Sequence, residues 1–185
     1  MSGTGALNQP FHNVQFKGLT FANATWLEPA SGDGFPEVQA NEYAVGSPIS
    51  GALIADNVSL RIAKSLRFER CLFTHLGGAG LGFDTDTQNA PVAGSQNNVI
   101  LGNTFTDISG SGLQMGELWL ANPTDARQQN TGNNIQDNYI TNVVAEYFGA
   151  VGIMIRYTQN TTITHNEVTN LPYSGIAYGL IGNPS

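Results

Sequence analysis

The chain has 185 residues, of which 41% are apolar and only 11% are charged, and its formal net charge is −7. This length is enough for one domain with a sizeable core, so we expect residues 1–185 to form a single domain. The few Lys and Arg residues do not cluster, which argues against a nucleic-acid partner, and no apolar run is long enough to span a membrane.

A short apolar pattern recurs five times along the chain. An apolar residue stands three positions before a reference position, and another stands two positions after it. In the last four copies a glycine and an apolar residue follow. Apolar residues alternate within short runs that Gly, Asn and Ser interrupt, which is typical of strands. The reference positions are Leu19, Cys71, Asn103, Asn138 and Asn166.

The reference positions are 52, 32, 35 and 28 residues apart. Short strands that repeat at such intervals predict an all-β fold in which each copy forms one rung of a parallel β-helix, with about five rungs. The apolar positions would then stack in columns, and the Asn residues would stack at an inner bend. There each side-chain amide would bond the backbone and the amide of the next rung. Cys71 would fill the same position as a small apolar residue. Residues 29–60 fit no copy and are expected to form an irregular excursion.

The competing architecture is a β-sandwich. That fold requires hairpin turns such as Asn-Gly or Asp-Gly at regular spacing. Asp33-Gly34 is the sole dipeptide of this kind in the sequence, so the pattern favours the β-helix.

Several stretches resemble a known family. They are FHNVQFKGLTFANATWLEP, FTHLGGAGLGFD, NTFTDISGSGLQMG, EYFGAVGI and YTQNTTITHNEVTNLPYSGI. In order, they resemble right-handed parallel β-helix repeat proteins of the pectate-lyase-like superfamily, including glycoside hydrolases of the α-L-fucosidase-like and β-xylosidase-like kinds. The resemblance implies a right-handed coil and a carbohydrate-active function. Because such proteins usually continue through further rungs, it also implies a fragment or a shortened version of a larger, secreted or periplasmic protein.

Two insertions indicate where a site would lie. Residues 85–96 and 117–132 both follow the Gly–apolar strand, in consecutive copies, so they would stand side by side and wall a groove. At the base of these insertions, Asp84, Glu117 and Arg156 are predicted to come from three successive rungs at one corner.

The chemistry of glycoside hydrolysis matches this arrangement. It needs two carboxyl groups, about 5 Å apart for retention of configuration and about 6.5–9.5 Å apart for inversion, and one or two rung steps supply such distances. We therefore predict Asp84, Glu117 and Glu146 as catalytic residues, with Glu146 reaching the site from an insertion on a later rung. Arg156 would keep one carboxylate ionised. Carboxylates at solenoid corners are also often merely solvated, and that interpretation stays open.

Further residues are predicted to bind the substrate. Trp119, Tyr147, Phe148 and Tyr173 would stack on sugar faces, and Asp86 would contribute from the Asp-Thr-Asp run that begins at Asp84. This run is also a candidate calcium site, since Ca²⁺ takes carboxylate and carbonyl ligands. We otherwise expect no cofactor.

These features support two classes of function. The first is a glycoside hydrolase-like protein acting on a plant or microbial polysaccharide or oligosaccharide; the alternative is a carbohydrate-binding or structural fragment without activity. A polysaccharide lyase is disfavoured by the scarcity of basic residues. The open ends of the solenoid predict either end-to-end self-association or a covering segment near EVQANEY, residues 37–43.

Overall fold

The structure is a computed structural model that describes residues 1, 7–27, 37–45, 50–85, 94–117 and 123–179. These residues form 21 strands, numbered β1–β21 in chain order, and a 3₁₀ turn at Ala126–Gln128. The all-β prediction is therefore confirmed. In the described part of the chain, no helix is long and apolar enough to cross a membrane.

Most of the strands belong to three five-stranded parallel sheets. Sheet A contains β2 (Gln15–Lys17), β8 (Arg67–Glu69), β11 (Val99–Leu101), β15 (Asn134–Gln136) and β19 (Thr162–Thr164). Sheet B contains β3 (Thr20–Ala24), β9 (Leu72–Leu76), β12 (Thr104–Ile108), β16 (Tyr139–Thr141) and β20 (Glu167–Thr169). Sheet C contains β6 (Asp56–Leu60), β10 (Ala79–Phe83), β13 (Leu113–Met115), β17 (Ile153–Ile155) and β21 (Ile176–Tyr178).

The chain passes through sheets A, B and C in the same order five times, and each passage adds one strand beside the last. We call each passage a circuit. Circuit 1 contains β2, β3 and β6, and circuit 5 contains β19, β20 and β21. Every ladder in the three sheets is parallel, whereas a sandwich of this kind would be antiparallel. This order is compatible with the predicted β-helix.

Shorter strands precede sheet A in circuits 1, 2, 4 and 5, and the single residue Gln96 takes this place in circuit 3. They are β1 (Phe11–His12) with β7 (Ala63–Lys64), and β14 (Asn130–Thr131) with β18 (Thr158–Gln159); Gln96 bridges the two pairs.

The predicted apolar columns are confirmed by the strand register. In sheet A the column runs through Phe16, Phe68, Ile100, Ile135 and Ile163. In sheet B it runs through Phe21, Phe73, Phe105, Ile140 and Val168. Aromatic rings stack along the columns, with centroids 4.6 Å apart for both Phe16–Phe68 and Phe73–Phe105. The apolar repeat therefore forms the core.

The Asn ladder is also confirmed. Asn103 Nδ2 donates to Asn138 Oδ1 at 2.9 Å, and Asn138 Nδ2 donates to Asn166 Oδ1 at 2.8 Å. The backbone N–H of Cys71 donates to Asn103 Oδ1 at 2.9 Å, so Cys71 holds the same position one circuit earlier. Each amide thus satisfies backbone groups at a bend, where strand pairing cannot.

A second ladder, which we did not predict, lies five positions earlier. Asn98 Nδ2 donates to Asn133 Oδ1 at 3.0 Å, and the backbone N–H of Leu66 donates to Asn98 Oδ1 at 2.9 Å. Both Asn side chains are buried. This ladder contains only two Asn residues among the described circuits, and two occurrences of Asn at one spacing were too few to predict it from the sequence.

The recurring glycines allow neighbouring circuits to approach closely. A Cβ atom added to Gly80 would lie 2.6 Å from the carbonyl oxygen of Gly112, and one added to Gly152 would lie 2.6 Å from that of Gly175. This close approach explains why a glycine precedes the apolar residue of sheet C in the repeat.

Of residues 29–60, which we expected to form an irregular excursion, the structure describes 37–45 and 50–60. The last five, β6, form a regular sheet C strand, because Val58 and Leu60 align with Leu81 and Phe83 of the next circuit. Before it, β4 (Glu42–Val45) and β5 (Ser50–Leu53) form an antiparallel hairpin.

We call residues 37–45 and 50–53 the strap. It lies on the outer face of sheet C: the backbone N–H of Ala40 donates to Gly149 at 2.7 Å, and Asn41 Nδ2 donates to Gln114 Oε1 at 2.7 Å. The EVQANEY segment therefore covers the side of the stack rather than an end, and the proposed end cover is wrong for these residues. Self-association stays a prediction.

We predict that Asn103→Ala lowers the free energy of unfolding by about 3 kcal/mol, because it leaves the N–H of Cys71 and the carbonyl of Phe68 buried without their partner. Urea unfolding followed by circular dichroism measures this change. Asn166→Ala, at a half-buried position of the same ladder, is the matched control and should cost less. Equal costs at the two positions would contradict a role for burial.

Candidate functional site

The corner that follows sheet C brings the predicted residues together along the backbone. We call it the exit corner. The backbone N–H groups of Asp84, Gly116 and Arg156 each donate to a carbonyl of the preceding circuit at 2.8–2.9 Å. These three residues therefore occupy equivalent positions in circuits 2, 3 and 4, as predicted, and Glu117 follows Gly116.

Asp84 is the buried carboxyl of this corner, with only 5% of its surface exposed. Its Oδ1 accepts a hydrogen bond from the backbone N–H of Ile62 at 2.9 Å, while its Oδ2 is buried without a hydrogen-bond partner. Burial raises the pKa of Asp84 to about 6, and hydrogen bonding from Ser95 and Ile62 offsets part of that effect. Folding therefore raises the pH at which Asp84 loses its proton, and at pH 7 the ionised form still predominates.

Glu117 is half-buried beside Asp84. The pKa of Glu117 is raised to about 7. Burial is the largest cause, the negative charge of Asp84 adds to the rise, and the positive charge of Arg61 opposes it. The two carboxyl groups are thus close enough to act on each other, and near neutral pH the pair retains a proton. This arrangement supports the predicted pairing of Asp84 with Glu117.

Arg156 does not serve this pair as we predicted. Its side chain is 1% exposed, its Nη2 donates to the carbonyl of Ala40, and it forms an ion pair with Glu42 Oε1 at 3.4 Å. Burial lowers the pKa of Arg156 to about 10, with Glu42 offsetting part of the effect. The strap thus supplies the partner of Arg156, and among the described residues the cation whose charge acts on Asp84 and Glu117 is Arg61.

Glu146 lies at the other end of the sheet C strands. We call the corner between sheets B and C the entry corner. The backbone N–H of Glu146 donates to the carbonyl of Ser109 at 3.2 Å. Ser109 precedes β13 and Glu117 follows it, so the predicted pairing of Glu146 with Glu117 is wrong. The insertion that carries Glu146 leaves the stack one corner before the acidic pair.

The two tyrosines have different surroundings. Tyr147 is buried, its ring packs edge-on against Trp26 with centroids 5.5 Å apart, and its hydroxyl donates to the carbonyl of Gly77 at 3.2 Å. It therefore stabilises the fold and offers no face to a sugar, contrary to our prediction. Tyr173 is exposed at the entry corner.

Two predicted residues, Trp119 and Asp86, lie outside the described residues. Within the described ranges, no group of three or more His, Cys, Asp or Glu side chains is placed to hold a metal ion. Calcium binding by the Asp-Thr-Asp run stays a prediction.

A depression of about 390 Å³ lies at the entry corner between circuits 4 and 5. It is lined by residues 142–145, Phe148 and residues 170–172. We did not predict the depression from the sequence, although Phe148 was among the predicted sugar-stacking residues. Its one signal is that Asn142 and Asn170 stand four positions after their reference Asn, in equivalent places of successive copies.

Comparison with protein-family models and with curated proteins finds no match. A solved structure described as a glycoside hydrolase is similar to this chain, with a TM-score of 0.79 and 29% sequence identity. The similarity covers 94% of this chain and 32% of that structure, so the chain spans about a third of its length. The fold is therefore a β-rich one shared with a carbohydrate-active protein.

The raised pKa of Asp84 predicts a pH-dependent stability. Its folded-state pKa lies above its unfolded value, so its contribution is present below about pH 4 and is lost as the pH rises through about 6. We expect the stability of Asp84→Asn relative to the wild type to increase by up to about 3 kcal/mol between pH 4 and pH 7. The amide oxygen can still accept from Ile62.

Urea unfolding at several pH values measures this difference. Glu167→Gln, which makes the equivalent change at an exposed position, is the control, and its stability should fall with rising pH as that of the wild type does. A constant difference between Asp84→Asn and the wild type across this pH range would contradict the assignment.

Proposed function

We propose that this chain is a right-handed parallel β-helix of about five circuits, a single domain of a larger secreted or periplasmic protein. We propose further that it is glycoside hydrolase-like and acts on a plant or microbial polysaccharide. The ordered circuit of three parallel sheets supports the first part. The similarity to a glycoside hydrolase structure supports the second.

The observation that carries the activity is the acidic pair at the exit corner. Asp84 and Glu117 leave neighbouring strands, which lie about 4.8 Å apart in a sheet. Glu117 is half-buried and has a pKa of about 7, so at neutral pH about half of the molecules hold a proton that Glu117 can donate to a glycosidic oxygen. We therefore assign Glu117 as the general acid.

Asp84 takes a different role from the one we first expected. Because it is almost fully buried, we assign it as a positioning residue that acts through its charge. A negative charge beside Glu117 raises the pKa of that acid, and it also stabilises positive charge that develops on the sugar in the transition state. No cofactor takes part in this scheme.

A carbohydrate-binding protein without activity is the second candidate. The burial of Asp84 and the pairing of Arg156 with Glu42 favour it, because both take charged groups away from a ligand. The same pairing disfavours a lyase, which needs a basic residue at the bond to be cut.

We predict that Glu117→Gln reduces kcat/KM on a neutral polysaccharide at least about 100-fold, because the amide cannot donate the proton. Glu146→Gln, at the entry corner, is the matched control and should keep wild-type activity. Reducing-sugar release from a panel of neutral plant and microbial polysaccharides, with EDTA present, measures both. Full activity of Glu117→Gln, or loss of activity in EDTA, would contradict the assignment.

The same assay tests the role of Asp84. Asp84→Asn removes the charge that raises the pKa of Glu117, so the alkaline limb of the pH–rate profile should move to lower pH. A purely structural role for Asp84 would lower the rate without moving this limb. Binding without hydrolysis by the wild type would instead favour the second candidate.

A further inference from the structure

We propose that the depression at the entry corner is a binding site for a neutral sugar unit, separate from the acidic pair. This inference rests on the proposed action on glycans. The site is formed by circuits 4 and 5, whereas Glu117 leaves circuit 3. Its volume of about 390 Å³ lies at the lower end of the range of small-ligand sites, roughly 300–1,000 Å³.

The first argument is an exposed aromatic ring that is carried by an anchored stretch of backbone. Phe148 lines the depression and is 63% exposed, although burying a phenylalanine is strongly favourable. Its neighbours are fixed: Tyr147 is buried in the core, and Gly149 is bonded to the strap through Glu37 and Ala40, both at 2.7 Å. The backbone that carries Phe148 is therefore anchored, and the exposed ring offers an apolar face that a sugar can cover.

The second argument is a pair of amides at the same depression. Asn142 and Asn170 both adopt left-handed backbone conformations, with φ of 50° and 57°, in equivalent places of adjacent circuits. Asn170 Nδ2 donates to Asn142 Oδ1. Among the described residues, this leaves the side-chain Nδ2 of Asn142 as a donor and the side-chain Oδ1 of Asn170 as an acceptor for a ligand. A donor beside an acceptor matches two neighbouring sugar hydroxyl groups.

The third argument is charge. No residue that lines the depression is ionisable, and Glu146, which lies between lining residues in the chain, is acidic. The chain as a whole carries −7. An anionic sugar would find no counter-charge and a repulsive field, so the site fits a neutral sugar.

The location gives the site its role. The lining residues precede the sheet C strands, and Glu117 follows such a strand, so the two lie at opposite ends of sheet C. A glycan held at the entry corner is anchored away from the bond that Glu117 would protonate. The site thus retains a polymer rather than cleaving it.

The test is isothermal titration with neutral gluco-, xylo- and galacto-oligosaccharides and with oligogalacturonate as the acidic probe. We expect Phe148→Ala to weaken binding of a neutral oligosaccharide about tenfold and Phe148→Trp to restore it. Tyr178→Ala is the matched control, since Tyr178 is 64% exposed but does not line the depression, and it should bind like the wild type. Glu117→Gln should also bind normally.

The outcomes separate this inference from the proposed function. If Glu117→Gln loses binding while Phe148→Ala keeps it, the inference is wrong and the proposed function stands. If Phe148→Ala loses binding and no polysaccharide is hydrolysed, the inference stands without the hydrolase. Preferred binding of oligogalacturonate would overturn the neutral-sugar assignment, and no binding of any probe would overturn both proposals.

Discussion

Every circuit of this chain must satisfy the backbone groups of its bends, and stacked side-chain amides do so. Between strands, N–H and carbonyl groups turn into the interior, where water cannot reach them. Asn103 and Asn138 supply one donor and one acceptor in a form that repeats from circuit to circuit. Because each amide bonds the next, the ladder fixes both the register of the strands and their spacing. The sheet columns, and the corners that carry the candidate sites, depend on that register.

This dependence explains what the sequence could predict. Residues that repeat at a fixed interval become neighbours, so the Phe16 and Phe21 columns and the Asn103 ladder were readable from spacing alone. The alignment of Asp84 with Gly116 followed for the same reason. The spacing of apolar residues also predicted the sheet C strands of circuits 2 to 5. It did not predict β6, because a long insertion separates β6 from β3 in circuit 1.

The misplaced residues belong to contacts that no repeat encodes. Arg156 was assigned to the acidic pair because its backbone position is correct, yet the strap brings Glu42 to it from more than 100 positions away. Tyr147 was taken for a surface aromatic, but Trp26 packs on it from circuit 1. Both partners lie in or next to the insertion after β3, a long segment whose path the periodic pattern could not predict.

The strap has a consequence for how the stack holds together. In a repeat protein whose units touch only their neighbours, stability is nearly a sum of local terms, and an end can fray independently. Here Glu37 and Ala40, which belong to the first circuit by sequence, are bonded to Gly149 in the fourth. Opening the fourth circuit therefore also breaks contacts made by the first. The strap converts a linear array into one cooperative unit, and it anchors the backbone next to Phe148.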